Sequence, residues 1–269
     1  MSENILICPV CGKPLENSLE KEKNVRKCVS GHSFDIAKDN YVNLLVRSGT
    51  ENAGDNKEMA LSRKNFLSKD YYKPLADVVG DLLVTADTET VLDICCGEGY
   101  YTSQLTKRKK CDFYGFDISK EMVRLAAKRR CGAEFFAANL TDIPVRSCSV
   151  DFAFHLFAPF DKYEFYRVMK KGGTLVTVIP GREHLLGLKE VLYENIYYND
   201  ESVTDAGEFT LADRIRVRAS ISIDNKEDIA SLFKMTPYYY STPRSGIEKL
   251  ERTEKLETPI EFVLLVYKK

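Results

Sequence analysis

The chain lacks the features that mark several protein classes. No apolar run approaches the roughly 18 residues that a membrane span needs, so no membrane partner is expected. Its start, MSENILICPVCGK, lacks the basic-then-apolar profile of a secretory leader. An excess of one charge is missing too, since 39 Lys and Arg face 40 Asp and Glu for a formal net charge of -1. That argues against a basic coat for nucleic acid and against an acidic disordered tail, while leaving room for a local basic face. Glycine (15) and proline (9) are too few for a collagen-like or low-complexity chain. Eight cysteines are too sparse for a disulfide scaffold in 269 residues, so their spacing decides their use. What is present is 44% hydrophobic material, enough to bury a core without disulfides. The length fits roughly two domains.

The cysteines divide. Cys8 and Cys11 stand in C-P-V-C-G, and Cys28 and His32 follow as C-x-x-x-H, giving C-x2-C-x16-C-x3-H. Two cysteines two residues apart on a tight turn direct both sulfurs to one point, with Gly12 free to take a positive φ. The second pair completes a tetrahedral shell from two short hairpins. Thiolate and imidazole suit zinc, and four protein ligands leave no open position, so one structural Zn2+ per chain is expected on Cys8, Cys11, Cys28 and His32. So small a segment has little apolar material, and the metal would supply much of its folding free energy. A redox role for C-x-x-C is disfavoured because no strand-to-helix pattern surrounds Cys11. The other five, Cys95, Cys96, Cys111, Cys131 and Cys148, sit in apolar or strand-like contexts and are expected in the core. Free thiols beside a zinc site point to a reducing cytoplasm.

Residues 1–37 form the zinc module on this reading, 38–69 a linker and helical connection, and 70–269 the main domain. The linker has one apolar patch, Tyr41 to Val46, before the turn-rich S-G-T-E-N-A-G-D-N-K. Helical patterns run from Met59 to Phe66 and, after Pro74, from Asp77 to Leu83. Beyond residue 90, strand candidates Val91–Cys96, Asp112–Ile118, Glu134–Asn139, Val150–Phe157 and Thr174–Pro180 alternate with helical segments around 100–109, 119–130 and 161–170. That order predicts an open α/β sheet, parallel and covered on both faces. Arg214–Ile223 and Glu261–Tyr267 flank a helix near 225–234 and would close the sheet's edge, for about seven strands.

V-L-D-I-C-C-G-E-G-Y, Val91 to Tyr100, ends the first strand and opens a helix. Gly97 and Gly99 let backbone approach a ligand, with donors gathered at the helix start. Asp117 ends the second strand eighteen residues beyond Gly99, where a carboxylate can accept both hydroxyls of a ribose. This arrangement suits either a dinucleotide or S-adenosylmethionine (AdoMet). The third glycine of the dinucleotide fingerprint is absent, however, and Asp93 would repel a pyrophosphate. The same Asp93 can join a polar network around an ammonium or sulfonium.

The loop resembles motif I of class I (Rossmann-like) AdoMet-dependent methyltransferases, D-x-G-x-G-x-G, with Cys95 in place of the first glycine, a change expected to tighten the turn slightly. Ala138-Asn139-Leu140 resembles the segment that edges the adenine. Asp151 to Pro159 sits where such enzymes place a substrate-facing loop, and Val168 to Leu175 resembles the turn before the fifth strand. With the zinc module in front, the chain is similar to the RlmA family of 23S rRNA (guanine-N1)-methyltransferases. The likeness rests on Cys8–Gly12, Cys28–Lys38, Tyr41–Leu45, Gly54–Met59, Arg63–Leu67, Tyr71–Leu75, Leu92–Tyr101 and Pro180–Leu185, and thins after about residue 200. It implies methyl transfer from AdoMet to N1 of one guanine in a 23S rRNA hairpin loop, by a homodimer whose zinc modules help grip the RNA. It also implies that Tyr72, Gly99, Tyr100 and His184 touch AdoMet, beside Asp117. Competing readings are a methyltransferase for another RNA or a small molecule, and a non-catalytic zinc-stabilised RNA-binding protein.

Guanine N1 must lose a proton around the time of transfer, so an imidazole or carboxylate near the base is sought. His155, Asp161 and Glu183 are the candidates, and none is assigned as the base. N1 lies on the Watson–Crick edge, so the guanine is expected to be flipped out and stacked on an aromatic ring, with Tyr41, Phe66, Tyr71, Phe157 and Phe160 available. Lys21–Lys27, Lys38, Arg63 and Lys64 are the phosphate candidates. Basic clusters also occur at Lys107–Lys110, Lys128–Arg130 and Arg214–Arg218, and the first two, on helices, read first as solvated faces.

Overall fold

Residues 4–20, 23–46, 56–203 and 205–269 are described by a computed structural model of the chain. Lys21 and most of the turn-rich stretch at 48–57, including Gly54, lie outside them.

Three short strands, β1 (Glu16–Glu20), β2 (Lys23–Lys27) and β3 (Ser33–Asp35), pair antiparallel in the order β1-β2-β3. The chain then enters a second sheet through β4 (Tyr41–Asn43). Helices α1 (Lys57–Leu67) and α2 (Lys73–Thr85) follow, α1 capped by the Asn56 side chain and α2 carrying Pro74 in its first turn. The alternating region contains β5 (Thr90–Ile94), α3 (Tyr100–Leu105), β6 (Asp112–Asp117), α4 (Lys120–Ala127), β7 (Glu134–Ala137), β8 (Val150–Leu156), α5 (Lys162–Val168) and β9 (Met169–Pro180). After α6 (Leu186–Leu192) come β10 (Thr210–Ile223), α7 (Lys226–Lys234), α8 (Tyr238–Ser241), α9 (Arg244–Arg252) and β11 (Leu256–Lys268).

The large sheet has the order β10-β11-β9-β8-β5-β6-β7-β4. Strands β4 to β9 pair in parallel, while β11 runs antiparallel to β9 and β10. The reason lies in the strand sequences. Neighbours such as Val91 and Leu92, or Phe262 and Val263, belong to different apolar clusters, one on each face, as period-two geometry requires of a sheet covered on both sides. One cluster gathers α2, α3, α6 and α7 over Phe152, Phe154 and Val176. The other joins Phe165 and Val168 of α5 to Ile5, Leu6, Leu15, Cys8 and Cys28 of the N-terminal segment. The zinc module is therefore bonded into the core: Ile7 N–H donates to the Pro144 carbonyl (3.0 Å) and Arg146 N–H to that of Ile5 (2.8 Å). The Arg26–Glu134 ion pair adds a second tie. No helix among the described residues is long and apolar enough to cross a membrane.

Two expectations change. The sheet has eight strands instead of about seven, because Tyr41–Asn43 leaves the linker to pair with β7. Of the five cysteines assigned to the core, only Cys96 is buried. Cys95, Cys111 and Cys131 are half-buried, and Cys148 is exposed on the turn before β8 with φ 52°.

Candidate functional site

Two backbone knuckles build the metal centre. Gly12 N–H closes one on the Cys8 carbonyl (2.8 Å), and Gly31 N–H closes the other on that of Cys28 (3.0 Å). The four ligand atoms of Cys8, Cys11, Cys28 and His32 lie within 4.8 Å of one another. His32 Nδ1 is 3.5 Å from both Cys8 Sγ and Cys28 Sγ, and Cys11 Sγ is 3.7 Å from Cys28 Sγ. A tetrahedron with ordinary Zn–S and Zn–N bonds has edges of about 3.5–3.8 Å, so these residues fit zinc without rearrangement. The Lys13 backbone N–H draws the Cys11 thiol down to about 6, toward the thiolate that a metal ligand must be.

The second centre forms where the sheet changes direction. From β5 the chain goes to β6 on one side, and later returns to β8 on the other, leaving a crevice at the carboxyl end of β5. Residues 95–99 turn sharply there: Cys95, Gly97 and Gly99 have φ of 59°, 54° and 78°. Gly99 is fixed by contact as well as φ, because a Cβ on it would lie 2.8 Å from Ala126 Cβ. Cys95, where the motif has glycine, takes a left-handed backbone at a steric cost of about 1–2 kcal/mol.

Asp117, at the end of β6, accepts from Gly97 N–H (3.0 Å) and Ser119 N–H (2.9 Å), which fixes its carboxylate against the loop. Asp93 is buried and accepts from the Thr102 hydroxyl on α3. Burial pushes its carboxyl up to about 8, partly opposed by that hydrogen bond, and a cation entering the crevice favours the charged form again. These groups line a cavity of about 260 Å3 together with Glu98, Tyr100, Tyr101 and Met122. Tyr101 Oη and Glu98 Oε1 are shielded from water and have no hydrogen-bond partner. Buried polar atoms are seldom left so, and two of them at one cavity indicate a polar ligand. A carboxylate on a rigid strand end, a glycine-lined turn and unpaired polar groups form a donor set that fits AdoMet.

A larger cavity of about 690 Å3 adjoins the first, sharing Arg63, Tyr72, Phe157, Ala158, Pro159 and Met235 with it. Phe157 stands between the two with φ 57°, a left-handed conformation unusual for a bulky residue and a mark of functional strain. The residue is 40% exposed, and its ring stacks beside His184 at 6.3 Å. His184 Nδ1 accepts from Glu261 N–H (3.2 Å), so in the neutral ring Nε2 carries the proton and faces Tyr72 Oη at 3.3 Å. Burial pulls His184 down to about 3, which keeps the ring neutral.

Of the residues assigned to AdoMet by sequence, Tyr72, Asp93, Gly97, Tyr100 and Asp117 line the first cavity, and Gly99 packs behind its turn. His184 lines the second cavity and meets the first through Tyr72. Asn139 and Leu140 line neither; Asn139 Oδ1 accepts from Thr141 N–H, and Leu140 packs on the core. Among the proton acceptors sought, His155 lines the second cavity. Asp161 instead caps α5 through Tyr163 and Glu164 N–H, and Glu183 pairs with Arg218. The basic clusters are largely paired as well: Arg108 with Asp77 and Asp81, Arg129 with Glu98, and Arg214 and Arg216 with Glu201. Sequence reasoning missed Glu98, Tyr101, Met122 and Thr177. Glu98 and Tyr101 stand beside the quoted glycines, a usable signal, whereas a threonine inside the apolar strand β9 carries none.

The chain matches two family models, one described as a methyltransferase domain over residues 91–173 and one as the N-terminal region of RlmA over residues 6–46. It is 33% identical to a 23S rRNA (guanine(748)-N1)-methyltransferase of Streptomyces fradiae, covering 70% of this chain and 67% of that protein. A Micromonospora griseorubida protein provisionally named a 23S rRNA (guanine-N1)-methyltransferase is 32% identical, over 70% of this chain and 69% of its own. A Bacillus subtilis protein with the same provisional name is 25% identical across 96% of this chain and 95% of its own. With the ribbon and the methyltransferase sheet in one chain, this protein belongs to the family of 23S rRNA (guanine-N1)-methyltransferases.

Proposed function

We infer that the chain transfers the methyl group of AdoMet to N1 of a guanine in 23S rRNA. The observation that carries this is the pair of adjoining cavities, one with an AdoMet donor set and one wide enough for a flipped base, meeting at Tyr72, Arg63 and Phe157. AdoMet supplies an electrophilic methyl group on a sulfonium. The chain's work is to hold acceptor and donor in line. Phe157, exposed at the boundary, offers a ring face on which the unstacked base rests. As N1 gives up its proton, negative charge develops on O6. Arg63 is the only Lys or Arg among the described residues lining either cavity, and it is placed to stabilise that charge.

The finer parts of the reading follow the family likeness. Cys8, Cys11, Cys28 and His32 hold zinc; Asp117 holds the ribose; Tyr72, Asp93, Gly97, Gly99 and Tyr100 surround the rest of AdoMet, with His184 behind Tyr72, while Asn139 and Leu140 lie outside both cavities. Residues 1–37 act as an RNA-recognition ribbon, 38–69 as the connection and 70–269 as the catalytic domain. The substrate is a hairpin, and the enzyme works as a cytoplasmic homodimer. In support, none of the eight cysteines is in a disulfide, which suits a reducing compartment, and β10 presents an edge with no further strand among the described residues.

The test is label transfer from AdoMet to a short 23S hairpin transcript by purified protein. Transfer that disappears when the target guanine is replaced supports the reading. Primer extension should then arrest at the modified base, since an N1 methyl blocks Watson–Crick pairing. RNA binding without transfer at saturating AdoMet refutes it and favours a binding protein.

A further inference from the structure

Five buried side-chain polar atoms among the described residues have no hydrogen-bond partner: Thr88 Oγ1, Glu98 Oε1, Tyr101 Oη, His155 Nδ1 and Thr177 Oγ1. Four of the five belong to residues lining the two cavities, Glu98 and Tyr101 at the first and His155 and Thr177 at the second. Such atoms are rare in folded proteins, and their concentration here indicates groups waiting for a ligand. The second pair is not used by the reading above.

His155 on β8 and Thr177 on β9 are register partners in adjacent parallel strands, so their side chains share one face of the sheet. The ring of His155 packs against the touching pair Phe160 (6.0 Å) and Phe165 (5.1 Å), whose own centroids are 4.9 Å apart. Its Nε2 lies 2.9 Å from the Pro159 carbonyl oxygen. A carbonyl only accepts, so Nε2 carries the proton and Nδ1 presents a bare lone pair. Burial holds the ring neutral, with its pKa lowered to about 4, so this tautomer persists throughout the neutral range. So weak a base is poorly matched to removing the proton of guanine N1, but it is a permanent hydrogen-bond acceptor.

Guanine offers on its Watson–Crick edge an N1–H, an N2 amino group and the O6 acceptor. With N1 turned toward the methyl donor, the amino group is the feature that separates guanine from hypoxanthine. We propose that His155, supported by Thr177, is the guanine-specificity determinant of the second cavity: Nδ1 accepts a hydrogen bond from the N2 amino group of the target base. The proposal rests on the guanine-N1 reading above. It makes His155 a reader of the base, and leaves the N1 proton to another acceptor.

The experiment compares kcat/KM on two hairpin transcripts, one with guanosine and one with inosine at the target position. Inosine keeps N1–H and O6 and lacks only the amino group. The expected wild-type preference for guanosine is about tenfold or more, because a buried acceptor is left unpaired by inosine. In His155→Phe, which keeps an aromatic ring against Phe160 and Phe165, the ratio should fall to within about twofold of unity whatever the absolute rate. His155→Asn, which restores an acceptor oxygen on a shorter side chain, should recover part of the preference. A wild-type ratio near one overturns the proposal without any variant, and so does a ratio unchanged in His155→Phe. Should His155→Phe fail to fold, His155→Leu, which also removes the acceptor, decides in its place, and a guanosine preference kept at the wild-type ratio overturns the proposal. Failure of the wild type to methylate either transcript refutes the guanine-N1 reading itself, a separate result.

Discussion

Gly97 and Gly99 are two residues apart in one turn, yet the structure assigns them opposite failures. Gly99 has φ 78°, and an added Cβ would stand 2.8 Å from Ala126 Cβ, 3.0 Å from Ala126 Cα and 3.4 Å from the Phe135 ring. The left-handed backbone alone costs a Cβ-bearing residue about 1–2 kcal/mol. Forcing a methyl against α4, whose backbone cannot swing aside, adds roughly 1–3 kcal/mol. Gly99→Ala should therefore lose about 2–5 kcal/mol, equivalent to a fall of roughly 5–15 °C in melting temperature for a chain of this size. Gly97 has φ 54°, and its added Cβ would meet only Arg63 Cδ, at 3.8 Å, across the first cavity. Gly97→Ala should lose only the backbone part, about 1–2 kcal/mol, while placing a methyl group where AdoMet is to bind. Denaturant titration of both variants, with AdoMet affinity measured by calorimetry, separates the two effects. Equal destabilisation by the two substitutions would refute the packing argument, and undiminished AdoMet affinity in Gly97→Ala would refute the placement of the cofactor.

Three further outcomes are expected. Metal analysis should find one zinc per chain, and Cys28→Ser or chelation should unfold the ribbon and uncover Ile5, Leu6 and Leu15; metal-free protein melting like the metal-loaded form contradicts this. Tyr101→Phe removes a buried hydroxyl with no partner, so the free protein should be as stable or more so, whereas AdoMet affinity should fall by about 3–10-fold. An unchanged dissociation constant would exclude Tyr101 from the AdoMet site. His155 and His184 are held neutral with pKa values of about 4 and about 3, while in the unfolded chain histidine takes up a proton below about 6.5. Their contribution to stability is complete above that pH and is lost as pH falls toward 4, at up to about 1.4 kcal/mol per pH unit for each ring. Asp93, raised to about 8, acts in the opposite sense, losing stability as pH rises from about 4 to 8. Comparing wild type with His155→Phe cancels Asp93, and the variant's slope should be flatter by one histidine's share; parallel slopes disprove the burial argument.

The metal ligands and the glycine turn were legible because both are local. A ligand pair three or four residues apart is held by one knuckle, and Cys8, Cys11, Cys28 and His32 needed only two knuckles to meet. Asp117 was legible for a related reason, since a strand end next to the turn fixes where its carboxylate stands. Strand β4 was hidden because three residues cannot show a period, and its partner β7 lies more than ninety residues further on. The second cavity was hidden in the same way. Thr177 and His155 become a pair only through the register of β8 and β9, and neither residue's local sequence marks it as polar and unpartnered. The thiols were misplaced because an apolar neighbourhood in sequence says little about exposure on a turn, as at Cys148.

The bonding of the ribbon to the sheet also sets an order of events during synthesis. Both metal knuckles are complete once His32 has left the ribosome, so zinc can be captured early. The surfaces that cover the ribbon's apolar underside, β7 and residues 143–146, emerge about a hundred residues later. At ordinary translation speeds that delay lasts roughly 5–20 s. Throughout it, Ile5, Leu6 and Leu15 lie on a metal-loaded fragment with nothing from the sheet to bury them. A nascent chain of this protein is therefore most exposed to aggregation after its first module has folded and before its seventh strand has appeared.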